Sequence, residues 1–71
     1  MPFYICNKLA DDKSRHEVHE NTCSHLPLKI NQIEIGFKNN CQEAIRQMYE
    51  WNPSGYKFDG CWYCCRPCNH G

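Results

Sequence analysis

Cys61-Trp62-Tyr63-Cys64-Cys65-Arg66-Pro67-Cys68 packs four thiols into eight residues and contains two abutting C-x-x-C units. Two-residue spacing lets one turn direct both sulfurs of a unit to a single metal ion, with zinc–sulfur distances near ~2.3 Å. One unit supplies half a tetrahedron. Adjacent side chains tend to point apart, so Cys64 and Cys65 are not expected to serve one ion together. The other half must come from elsewhere, and His19-x-x-x-Cys23 has the form of a ligand leaving a strand with a second ligand after a short loop. His19, Cys23, Cys61 and Cys64 then make a closed site of one nitrogen and three sulfurs. Cys65, Cys68 and His70 are left over, and they could replace the first pair or bind separately.

Several other patterns fail on spacing. His16-Glu17-Val18-His19 places its histidines three apart, whereas the zinc-protease motif needs them four apart on a helix. Cys65-Arg66-Pro67-Cys68 has the form of a redox dithiol, but the chain is too short for the βαβ setting that activates one. Cys68-Asn69-His70 misses haem attachment, which needs histidine directly after the second cysteine. Neither a serine–histidine–acid arrangement nor a phosphate-cradling glycine loop can be picked out.

These residues sit in a chain of 71, room for one domain and one core. Ordering it costs on the order of 100 kcal/mol of conformational entropy, at roughly 1.5 kcal/mol per residue. Val, Leu, Ile and Phe together number only 12 of 71, so burial alone offsets little of that cost. Net charge is zero, which argues against disorder by self-repulsion. Seven cysteines, about a tenth of the chain, point instead to a small crosslinked domain. Met1-Pro2-Phe3-Tyr4 shows no signal peptide, so a cytoplasmic setting is expected, where stable disulfides are rare and metal is favoured over them. Seven is also odd, so disulfides could not use every thiol. No stretch approaches the ~18 apolar residues that cross a membrane.

The elements that must position the ligands follow from periodicity. Phe3–Cys6 reads as a strand, Asp11–Ser14 as a turn, and His16–His19 as the return strand of an antiparallel hairpin. Leu26-Pro27 marks a loop. Gln32–Phe37 alternates, with Ile33, Ile35 and Phe37 on one face of a half-buried strand. Asn40 caps a helix over 41–51, with Glu43 placed to close a capping box and Ala44, Ile45, Met48 and Trp51 forming the buried stripe. Residues 56–60 read as a loop. Cys6 and Cys41 read as packing residues, Cys41 with a first-turn position that can lower a thiol pKa. Trp51, Tyr56, Phe58, Trp62 and Tyr63 read as lids on the core. The fold class is α+β: a small antiparallel sheet of two to three strands, one main helix and a cysteine-rich C-terminal knuckle.

The order of these features resembles a family of very short bacterial Cys/His-rich proteins without an assigned function. Val18-His19, Cys23, Leu26-Pro27, Gly36-Phe37, Cys41 with Ala44, and Asp59-Gly60-Cys61 through Cys64-Cys65 to Cys68 and His70 carry it. More distantly it is similar to the metal-binding domain of the Ada alkyl-DNA repair protein. His19 with Cys23, the strand ending at Phe37, Ala44 on the helix, and Cys61 with Cys64 occupy the corresponding places. That resemblance implies a zinc knuckle closed by those four residues. The segment Trp51–Gly60 is longer than in the repair domain, and His19 stands where that domain has its methyl-accepting cysteine.

Three functions are therefore expected in descending order. The first is a non-enzymatic domain holding one structural zinc ion and acting as a recognition or interaction module whose partner the sequence leaves open, a protein being one candidate. The second is a thiol redox or metal-relay protein using Cys64, Cys65 and Cys68. The third is a nucleic-acid-contacting domain, by analogy with the repair fold. Eight Lys and Arg balance eight Asp and Glu without a basic stripe, so charge lends the third no support.

Overall fold

The computed structural model describes residues 1–71. Strand β1 (Phe3–Asn7) and strand β2 (His16–Glu20) form the antiparallel hairpin, pairing Tyr4 with Glu20, Ile5 with His19 and Cys6 with Val18. Asp11 organises the connection: its Oδ1 accepts the backbone N–H groups of Lys13 (2.8 Å) and Arg15 (2.9 Å). Those two donors, Arg15 foremost, hold the Asp11 carboxyl below its usual range.

Strand β3 (Gln32–Phe37) adds antiparallel to the other side of β1. Its register slips between Tyr4, opposite Gly36, and Ile5, opposite Glu34, so Ile35 is an extra residue, a β-bulge. Gly36 takes φ of 110°, open to glycine at little cost. The bulge corrects the expected alternation. Ile33 lies opposite Cys6 and Ile35 is buried, both on the side of the core, whereas Phe37 lies opposite Phe3 on the other face. There the two rings meet edge to face, 5.0 Å apart, and Phe37 is 63% exposed.

Helix α1 (Cys41–Trp51) begins where its cap requires. Asn40 Oδ1 accepts the Glu43 N–H at 2.9 Å, and Glu43 Oε1 reaches back to accept the Asn39 N–H at 3.0 Å. Such a cap contributes about 1 kcal/mol. The helix buries Cys41, Ala44 and Met48, with Ile45 packed against the core edge. Trp51 is 53% exposed and does not extend the stripe, because the helix ends on it and it falls beyond the sheet.

Residues 56–60 are not all loop. Phe58–Gly60 form strand β4, which pairs in parallel with β2: His16 with Phe58, Glu17 with Asp59 and Val18 with Gly60. The sheet therefore has four strands, order β3-β1-β2-β4, and is mixed rather than purely antiparallel. On the helix side, Tyr4, Cys6, Val18, Ile35 and Phe58 pack with α1 into one core, which the tail completes with Cys65 and Cys68. Strand alternation turns Ile5 and His19 to the opposite face.

Candidate metal centre

β4 exists to deliver a ligand. Its parallel pairing continues one step further, Cys61 N–H donating to the Val18 carbonyl at 2.9 Å, and this sets Cys61 beside His19. Cys23 is reached by a tight turn out of β2, its N–H donating to the Glu20 carbonyl at 3.0 Å. Cys64 is carried by the turn after Cys61, closed by the Cys65 N–H on the Cys61 carbonyl at 2.8 Å. The result brings one ligand atom from each of His19, Cys23, Cys61 and Cys64 within 4.8 Å of every other.

The spacings suit a tetrahedral ion. Sulfurs about 2.3 Å from a central zinc stand about 3.8 Å apart at tetrahedral angles. Cys23 Sγ and Cys61 Sγ are 3.8 Å apart, and Cys64 Sγ is 3.9 Å from His19 Nδ1. Each sulfur also receives a backbone N–H: Glu20 to Cys64 at 3.3 Å, His25 to Cys23 at 3.4 Å, Tyr63 to Cys61 at 3.4 Å. Donors aimed at sulfur favour the thiolate. Against them, burial pushes the Cys61 and Cys64 thiols up, and the neighbouring sulfurs add to that for Cys64. A divalent cation at the centre reverses the balance, because it turns the mutual repulsion of three thiolates into attraction. Burial, followed by the nearby His25, pulls the His19 pKa down, which keeps the imidazole neutral with a lone pair to give. Its Nε2 lies 3.6 Å from Glu17 Oε1, so Nδ1 is the nitrogen that faces the sulfurs. Glu17 and His19 share one face of β2 by strand alternation, which puts a carboxylate behind the ligand histidine. Burial raises the Glu17 carboxyl above its usual range.

The three alternates lie elsewhere. Cys68 is joined to Cys41 in a disulfide, a correction to its reading as an alternate ligand and to Cys41 as a free packing residue. The partners sit 27 positions apart, and the 3₁₀ turn Arg66–Cys68 carries Cys68 onto the first turn of α1. Cys65 is 1% exposed and points into the core; its Sγ is 3.8 Å from Cys64 Sγ, and burial pushes its thiol up to about 11. The two adjacent sulfurs stay close, yet Cys64 stands in the ligand group and Cys65 in the core. His70 is exposed, and only its backbone N–H is engaged, donating to Asp59 Oδ1 at 2.8 Å. Cys6 is fully buried, as a packing residue should be. Of the expected lids, Phe58 is buried. Tyr56, Trp62 and Tyr63 are exposed; Tyr63 stacks on His25 at 3.7 Å, and the Arg66 guanidinium lies 4.3 Å over Trp62.

Asp59 and Gly60, which seat the tail, were missed as functional residues. Asp59 is 2% exposed; Oδ2 lies 3.7 Å from Arg15 Nη1 and 3.3 Å from Asn69 Nδ2. Gly60 has the tail directly against it: a Cβ there would stand 2.5 Å from the Cys65 carbonyl oxygen and 2.6 Å from Cys68 Cβ. Their position immediately before Cys61 was the available signal.

No helix is long and apolar enough to cross a membrane. No protein-family model matches the chain, and no curated protein or solved structure matches it either.

Proposed function

We propose that the chain is a small non-enzymatic zinc-binding domain, with one structural ion held by His19 Nδ1 and the sulfurs of Cys23, Cys61 and Cys64, and that it acts as a recognition or interaction module. The observation that carries this reading is the convergence of four ligand atoms within 4.8 Å from the end of β2, the turn after it and the knuckle after β4. Thiolates and imidazole are soft to borderline donors; they select against magnesium and calcium and suit zinc, which imposes no geometry of its own. Four protein ligands leave no open position for a water or substrate, which is the pattern of a structural site. The ion would tie the knuckle to the hairpin, and its binding free energy would be folding free energy.

A redox role needs a thiol held as thiolate at neutral pH. Cys65 is pushed the other way by burial, and Cys68 is already bonded. The ligand order shared with the Ada-type domain supports a knuckle of this kind, and a histidine at position 19 in place of its acceptor cysteine leaves alkyl transfer out.

The test is metal content by mass spectrometry on protein purified without chelator, with native thiols counted on the same sample. The expected result is one zinc per chain, with the three ligand thiols unreactive until a chelator is added. His19→Ala and Cys64→Ser should lose the ion and cooperative unfolding. Metal-free protein, or full metal content in either variant, refutes the assignment.

A further inference from the structure

Beneath the last turn of α1 a cleft of about 270 Å³ opens between helix and sheet. Each strand contributes one residue to it, Cys6, His16, Ile33 and Phe58, and the helix closes it with Met48 and Asn52. It shares no residue with the metal centre. The floor is apolar: Cys6 is fully buried, Met48 and Phe58 nearly so. Burial pushes the Cys6 thiol up to about 12, so it offers polarizable surface and no charge. Tyr56 forms one aromatic wall, its ring 6.3 Å from Phe58 and nearly parallel to it, and 5.7 Å from His16.

The polar groups around this floor are few and differ in kind. Lys8 is the one lining residue with a fixed charge; no acid lines the cleft, although acids and bases are equal in number over the chain. His16 Nδ1 is 3.0 Å from the Asn7 carbonyl oxygen. A carbonyl can only accept, so Nδ1 carries the hydrogen and Nε2 of the neutral ring is an acceptor. Asn52 donates its amide N–H to the Met48 carbonyl at 2.9 Å, which leaves its side-chain oxygen as a second acceptor. An apolar floor with a few polar groups of fixed role is the composition of a ligand site, and this volume falls just below the ~300–1,000 Å³ range of drug-sized guests, so the guest must be smaller.

We propose that this cleft binds a small aromatic carboxylate that also carries an N–H or O–H donor. The ring lies on Met48 and Phe58 beside Tyr56, the carboxylate pairs with the Lys8 ammonium, and the donor meets His16 Nε2 or the Asn52 oxygen. Size limits the guest to one or two fused rings. The site is non-covalent, and nothing in it activates the guest.

Indole-3-acetate is a suitable probe, with indole-3-acetamide as its neutral counterpart, each titrated into the full metal-loaded chain and followed by amide chemical shifts. The expected result is saturable shifts at Lys8, His16, Ile33, Tyr56 and Phe58, with the acid binding at least about tenfold tighter than the amide. Lys8→Met should erase that preference while leaving metal content unchanged, since the Lys8 side chain is exposed. Shifts that fail to saturate by about 10 mM, shifts confined to another face, or equal binding of acid and amide would each overturn the proposal. So would Lys8→Met that binds the acid as well as wild type.

Discussion

Gly60→Ala tests how the tail is seated and what that seating does for the metal. The glycine takes an ordinary backbone conformation, so the effect is steric alone. The new methyl would stand 2.6 Å from Cys68 Cβ and 2.8 Å from the Cys68 carbonyl carbon, where carbon atoms rest about 3.5–4.0 Å apart. The Cys65–Cys68 backbone must therefore retreat by about 1 Å. It cannot do so freely, because the disulfide fixes Cys68 to α1 and Asp59 holds Asn69 and His70. Overpacking of this kind costs about 1–3 kcal/mol, and at roughly 4–8 °C per kcal/mol a Tm drop of roughly 4–24 °C follows. Gly60 also directly precedes Cys61, and the displaced segment directly follows Cys64, so two of the four ligands shift with it. Metal affinity should fall by about 10–100-fold, the scale of a disturbed second shell. Thermal unfolding of the metal-loaded protein and competition against a chromophoric chelator read the two effects. A variant with wild-type Tm and wild-type affinity would refute the packing of the tail on β4. Gly55→Ala is the contrast: its methyl meets nothing within 4 Å, so only its φ of 87° is strained and no neighbour is displaced.

Glu17→Gln should leave the fold intact, since the side chain is 36% exposed, yet weaken metal binding by about 10–100-fold; chelator competition unchanged from wild type would remove Glu17 from behind His19. Reducing the Cys41–Cys68 disulfide reopens a loop of 27 residues, worth about 3.5 kcal/mol, and should lower Tm by roughly 15–25 °C; an unmoved melting curve with a phosphine reductant would count against that crosslink. Burial raises the Cys6 thiol to about 12 from an ordinary value of 9.0. The unfolded chain then loses its proton first, so the Cys6 contribution is complete below pH 9 and disappears as pH rises towards 12. Denaturant melts over that window should show falling stability, and Cys6→Ala should reduce the fall, leaving the share of Cys65, whose thiol is also raised; an equal decline in the variant would refute the Cys6 contribution.

Local patterns carried much of this protein. Asn40 and Glu43 announce the start of α1 because a cap is made by residues three apart, and the spacing of Ala44 and Met48 states which side is buried. The hairpin from Phe3 to Glu20 is legible for the same reason: alternation and a turn signal lie next to each other in the chain. The four converging side chains were also readable, since histidine and cysteine at ligand spacing have few other uses. Tertiary structure decided what depends on distant partners. Phe58–Gly60 is too short to declare itself, and it is a strand only because β2, some 40 positions earlier, offers a free edge. The bulge at Ile35 arises from register against β1 and turns Phe37 away from the core, which alternation within β3 cannot reveal. Spacing put Cys64 in the ligand set and left open whether Cys65 and Cys68 replace Cys61 and Cys64 or bind separately. The fold separates Cys64, Cys65 and Cys68 into ligand group, core and disulfide because the knuckle turns over Gly60 and lands on the first turn of α1. Where a side chain's fate is set by neighbours within a few residues, sequence states it; where a contact closes a long loop, the cost and the choice of partner belong to the whole fold.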